Sequence, residues 1–94
     1  MPQGTPTGFT WDLEKAESNL EKHAIAFEDA IRIFEGPTLD VPDFRKAEFR
    51  VRSIGVVEGL EILVVYTVRE TTFRIISARR ASRNEREAYH RACP

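Results

Sequence analysis

Phe73-Arg74-Ile75-Ile76-Ser77-Ala78-Arg79-Arg80-Ala81-Ser82-Arg83-Asn84-Glu85 decides how the rest of this chain is read. Phe73, Ile75 and Ser77 alternate with Arg74, Ile76 and Ala78, and β-branched and aromatic residues dominate, which predicts a strand. Ser82-Arg83-Asn84-Glu85 then spells a capping box: the Ser82 hydroxyl accepts from the Glu85 amide while the Glu85 carboxylate reaches back to the Ser82 amide. A strand therefore runs into a helix, and Arg79 and Arg80 stand at the junction beside the free amides of a helix start. Such a junction is suited to an anion.

On the N-terminal side, Leu60 to Val68 is almost wholly apolar, as a central strand covered on both faces requires. Before it, Glu48 to Val56 sets Phe49 and Val51 against Arg50 and Arg52, with Val57-Glu58-Gly59 as the turn. Short connections make these strands and Thr72–Arg79 an antiparallel meander. Thr38–Pro42 is an edge strand, since Pro42 forbids a central place, and Asp43–Lys46 a loop. On the C-terminal side the helix runs from Ser82 to about Ala92, with a weak apolar stripe of Ala88 and Ala92 beside Tyr89.

Two helices precede the sheet. Asp12 caps the first, which runs to about His23 and buries Leu13, Ala16 and Leu20, with Lys15, Asn19 and Lys22 along a polar flank. The second spans Phe27 to Glu35 and stops at Gly36-Pro37. Only Ala24-Ile25-Ala26 separates them, so the spacing predicts a helical hairpin. Phe9–Trp11 reads as a short strand and residues 1–8 as a disordered tail, leaving one domain over 9–94. The expected class is α+β: an N-terminal helical hairpin on a mainly antiparallel sheet, followed by a C-terminal helix.

The composition, 41% hydrophobic and 31% charged over 94 residues, is that of one soluble domain with its own core. No apolar run can span a bilayer and no signal peptide is visible, so a cytoplasmic protein without a membrane partner is expected. The lone Cys93 excludes an internal disulfide. A net charge of −1 hides an asymmetry: residues 1–35 hold seven acidic groups against three basic, and residues 69–94 seven arginines against three glutamates. Arginine forks fit phosphate bidentately, so the basic third suits a polyanion; a solvated surface or an acidic protein partner is the plainer reading.

There is no zinc spacing, no Gly-rich phosphate loop and no nucleophile elbow, and His23 and His90 lie far apart, so neither metal nor cofactor is expected. What remains is an Arg-rich sheet with Lys, His, Glu and Tyr nearby. That inventory suffices for metal-free phosphodiester cleavage, which needs a base for the 2′-hydroxyl, cations for the pentavalent phosphate and a proton for the leaving oxygen.

Phe9-Thr10-Trp11-Asp12, Lys15, Asn19, Lys22-His23, Phe27-Glu28-Asp29-Ala30, Glu48-Phe49-Arg50 with Gly55, Arg74-Ile75-Ile76-Ser77-Ala78-Arg79-Arg80-Ala81, Glu85 and Tyr89 together resemble the BrnT toxins, in order over residues 9–90. The resemblance implies a RelE-like fold and a ribonuclease that halts translation. It also implies a BrnA-like antitoxin in a heterotetramer, with DNA bound only through the antitoxin as the complex represses its own operon. Arg79, Arg50 and Arg74 are then phosphate and transition-state ligands, with His23 or Glu48 as base. Lys15, Lys22 and Arg80 supply charge toward RNA, and Tyr89 either stacks on a base or anchors the last helix. Ala24 and Ala26 depart from the Gly and Ser-like cap usual at those places, each costing on the order of 1 kcal/mol at the helix corner. The alternative function is a catalytically inactive member that serves as antitoxin-binding co-repressor.

Overall fold

Alternation and β-branching in the middle of the chain produce three long strands, β3 (Glu48–Val57), β4 (Leu60–Arg69) and β5 (Thr72–Arg80), joined antiparallel by two tight turns. They belong to a computed structural model that describes residues 6–45 and 48–94. Lys46 and most of the expected tail lie outside the described residues. The β3–β4 turn places Glu58 at φ 51° and Gly59 at φ 82°, the left-handed pair that matches strand twist in a two-residue hairpin.

Two edge strands complete a five-stranded sheet in the order β1-β5-β4-β3-β2. β2 (Leu39–Arg45) pairs antiparallel with β3, and Pro42 lies in it, as an edge strand allows. β2 runs on through Asp43 and Phe44, where local propensity favours a loop; their pairing with Arg50 and Phe49 overrides it. β1 (Gly8–Trp11) pairs parallel with β5, so the sheet is mixed. Thr7 already donates its amide to Thr71 O at 2.8 Å, so order begins inside the stretch taken as tail.

The class is α+β, with three helices: α1 (Leu13–His23), α2 (Phe27–Ala30), which tightens into a 3-10 turn at Ile31–Glu35, and α3 (Arg83–Ala92). Phe27, Ala30 and Ile33 fill one sheet face against Val51, Val64, Tyr66 and Ile75. Gly55 makes this possible, because a Cβ there would lie 2.6 Å from the Ile33 Cβ. Under the same layer Ser53 donates to Asp40 Oδ1 at 2.6 Å and bonds the Tyr66 hydroxyl at 2.7 Å, so the buried hydroxyls are paired. On the opposite face Tyr89 of α3 and Ala81, between β5 and α3, pack on Ile54 and Leu63.

The helical hairpin is corrected: α1 packs chiefly on β5, and the second helical segment on β3 and β5. The apolar stripe of α1 is corrected too. Leu13 is 75% exposed, whereas Asn19 is 5% exposed. β1 ends at Trp11↔Ile75, which leaves the outer edge of β5 unpaired beyond it. Asn19 fills that gap like a strand residue: its Nδ2 donates to Ala78 O at 2.8 Å and its Oδ1 accepts from Ala78 N at 3.0 Å. Satisfying a buried backbone edge outweighs burying two leucines from the surface of α1.

Ala24 ends α1 at φ 59°, ψ 30°, its amide donating to Leu20 O at 2.8 Å. A side chain in this left-handed conformation is strained, and glycine is not. Ala24→Gly should therefore raise stability by up to about 1 kcal/mol, a melting-temperature gain of about 4–8 °C for a domain of this size. Calorimetry checks this, and a lower melting temperature would contradict it.

Candidate functional site

The strand-to-helix junction holds an anion, and that anion is the protein's own Glu85. Its carboxylate accepts from Arg79 Nη1 and Nη2 at 2.9 Å each, from Arg52 Nη2 at 2.9 Å and from the Ser82 amide at 2.8 Å. The Ser82 hydroxyl accepts the Glu85 amide at 3.2 Å, which closes the capping box. The Arg79 fork, with the Ser82 amide, holds the Glu85 carboxyl down to about 2. Arg79 is thus a clamped group and not a free one at the junction. Arg80 points elsewhere, 3.9 Å from Glu61. Sequence reasoning missed Arg52; its signal was the i, i+2 spacing that puts it on the same face of β3 as Arg50.

That face is the one α3 covers only in part. Ile54, Leu63 and Arg79 form a row across β3, β4 and β5, and Arg52, Val65 and Ser77 form the next. One step further, Arg50 comes level with Thr67, which pairs with Arg74. Tyr89 lies over Ile54 and Leu63 and Glu85 reaches Arg52, so it is the row of Arg50 that extends beyond the helix cover. Arg50 and Arg74 flank β4 on one face, their backbones about 10 Å apart. Two arginine side chains at that spacing can converge on one phosphate. Arg50 pairs with Glu48 at 2.8 Å, while among the described residues no carboxylate is within salt-bridge distance of Arg74.

Tyr89 is 5% exposed and its hydroxyl donates to Pro37 O at 3.0 Å. With its ring in the core, stacking on a base is ruled out and it anchors α3. His23, Lys15 and Lys22 line a cleft of about 360 Å³ between α1 and β5, whose other wall includes Ser77. Ser77 sits on the face of Arg79 and Arg74, so the cleft adjoins the open face. A wider hollow of about 570 Å³ is lined by α3 and Glu61; Arg83 pairs with Glu87 at 3.3 Å, His90 with Glu61 at 2.7 Å, and Arg86 donates to Ala81 O at 2.8 Å.

An α+β domain with arginines from three rows of one sheet face, bordered by a cleft, has the form of a polyanion-handling protein. Over residues 11–85 the chain matches the family model described as ribonuclease toxin, BrnT, of type II toxin-antitoxin system. It belongs to that family. The crystal structure of the Brucella abortus ribonuclease toxin BrnT matches with a TM-score of 0.62 and 29% identity, over 81% of this chain and 97% of that one. No curated protein matches. Among the described residues no helix is long and apolar enough to cross a membrane.

Glu85 gives the fold a pH dependence of known sign. A carboxyl lowered from 4.5 to about 2 stabilises the folded state above pH 4.5 and loses that contribution as pH falls toward 2. The shift corresponds to on the order of 3 kcal/mol, an upper figure because both arginines reach solvent. Glu85→Gln should be less stable than the parent at pH 7, with the gap closing between pH 4.5 and 2. Urea unfolding across that range decides it, and equal stability at pH 7 would refute the clamp.

Proposed function

We propose that the open half of the sheet face binds the RNA backbone and cleaves it without a metal, in the manner of a RelE-like ribonuclease. The observation that carries this reading is the row Arg50–Thr67–Arg74, two cations on one face with a buried hydroxyl residue between them. The substrate's 2′-hydroxyl attacks its own phosphate, the arginines stabilise the pentavalent oxyanion, and the 5′-oxygen leaves with a proton, giving a 2′,3′-cyclic phosphate. Arg74 is the uncommitted ligand, Arg50 the second, and Arg79 reaches the face from its clamp. His23 suits the base better than Glu48, which is engaged with Arg50 at 2.8 Å. Lys22 stands beside His23 as a source of charge or of a proton.

Membership of a type II toxin–antitoxin family implies an antitoxin partner. We infer a BrnA-like antitoxin, in a heterotetramer, whose acidic residues cover the arginine rows and whose own DNA-binding part represses the operon. Action on RNA then halts translation in the cytoplasm.

Arg79→Ala is a poor test, because it would release Glu85 and loosen α3. Arg74→Ala is the better one. Purified protein should degrade RNA in EDTA and leave 2′,3′-cyclic ends. Arg74→Ala should lose about 10²–10³ in rate, the scale of one preorganised electrostatic group, with unchanged circular dichroism. Arg91→Ala, on the exposed side of α3, should keep the parent's rate. Loss of activity in EDTA, or equal behaviour of the two variants, would overturn the reading.

A further inference from the structure

The ladder between β4 and β5 contains one extra residue. Register passes from Tyr66↔Ile75 to Val65↔Ser77, so Ile76 has no partner on β4. Strict alternation would send Ile76 and Ser77 to opposite faces, yet both line the cleft beneath α1. The bulge turns the strand so that an apolar and a hydroxyl side chain face the same space. On the helix side, Ser18 contributes a second hydroxyl to the cleft. Asn19 fixes the separation of the two walls through its paired bonds to Ala78, and it donates a further bond to Ile25 O at 3.1 Å, so its amide is spent on structure.

Charge decides what such a cleft takes. Lys15 and Lys22 line it, but so do Asp12 and Glu14. With two cations against two carboxylates it has no excess charge for a phosphate, and the surplus arginines lie outside it, on the open face. Its volume of about 360 Å³ falls at the lower end of small-molecule sites, roughly 300–1,000 Å³. An apolar platform, two hydroxyls able to donate or accept and a neutral rim suit a nucleobase.

Resting on the ribonuclease reading above, we propose that the α1–β5 cleft is a nucleobase subsite. It holds the base of a nucleotide next to the scissile phosphate, with Ile76 under the ring and Ser18 and Ser77 at its edge, and thereby sets the sequence preference of cleavage. A site built on hydroxyl contacts discriminates through the polar groups that a wrong base leaves unpaired.

Two measurements test this. In the first, the complete protein is titrated with each of the four nucleoside 3′-monophosphates while Ile76 methyl and Ser18 and Ser77 amide resonances are followed. These signals should move with all nucleotides and saturate at different concentrations for different bases. In the second, cleavage ends are mapped by sequencing for the parent, Ser18→Ala and Ser77→Ala. At least one variant should flatten the base preference about five-fold, the scale of one hydrogen bond. Because Ser18 is exposed on α1, its replacement leaves the fold intact. Shifts confined to the Arg50–Arg74 row, or an unchanged cleavage profile in both variants, would overturn the subsite. If the parent cut no RNA while nucleotides still shifted the cleft signals, the ribonuclease reading would fail and the base site would stand.

Discussion

The outer edge of β5 has to be satisfied twice, by two different means. Up to Ile75 it pairs with β1, and at Ala78 it pairs with the side-chain amide of Asn19. An asparagine amide carries the same donor and acceptor as a peptide group, so a helix can continue a sheet without being a strand. This one substitution of side chain for backbone fixes the rotation of α1. It turns Ala16 toward the core and leaves Leu13 and Leu20 at the surface. The cleft and the direction of Lys22 and His23 follow from that rotation.

At the other end of β5 the governing interaction is the Glu85 carboxylate. Two arginines on adjacent rows of one face repel, and a single carboxylate between them at 2.9 Å to each removes that cost. The same group caps α3, so the helix cannot leave the sheet without unpairing a carboxylate that is only 18% exposed. A weakly apolar helix is thereby fixed by charge and by the buried Tyr89. Arg79 and Arg52 are presented from a rigid frame, and Arg74 is left as the uncommitted cation of the face. Preorganisation and availability are divided between different residues.

Much of this was legible in the sequence, and the failures have one cause. The three meander strands, the Pro42 edge strand, the Asp12 cap of α1 and the capping box of α3 are local signals, and each stands where period and propensity put it. What could not be read were relations between distant segments. Neither the parallel pairing of β1 with β5 nor the burial of Asn19 has a local signature. Asn19 sits at a polar position of a helical wheel, and its partner Ala78 lies 59 residues away. The arginines were found by type, but their arrangement was not. In sequence Glu85 signals only a cap, so nothing marks it as the acceptor of Arg79, and the role of Arg52 depends on a helix folding back over β3. Tyr89 could be read either way until its hydroxyl was found on Pro37 O.

The charge asymmetry of the chain takes its meaning from this geometry. At a net charge of −1 the molecule has little long-range field, and beyond about 10 Å at ordinary ionic strength its exposed charges are largely screened. Discrimination is therefore local. The cleft, with Lys15 and Lys22 against Asp12 and Glu14, offers a phosphate backbone no net attraction, whereas the arginine rows do. On the proposed reading, attraction on the sheet face alone orients a strand across the β5 edge, with its backbone on the arginine rows and a base turned toward the cleft beneath α1. Alignment of this kind needs only a local row of cations, so the proposed reading asks for no net positive charge on the protein.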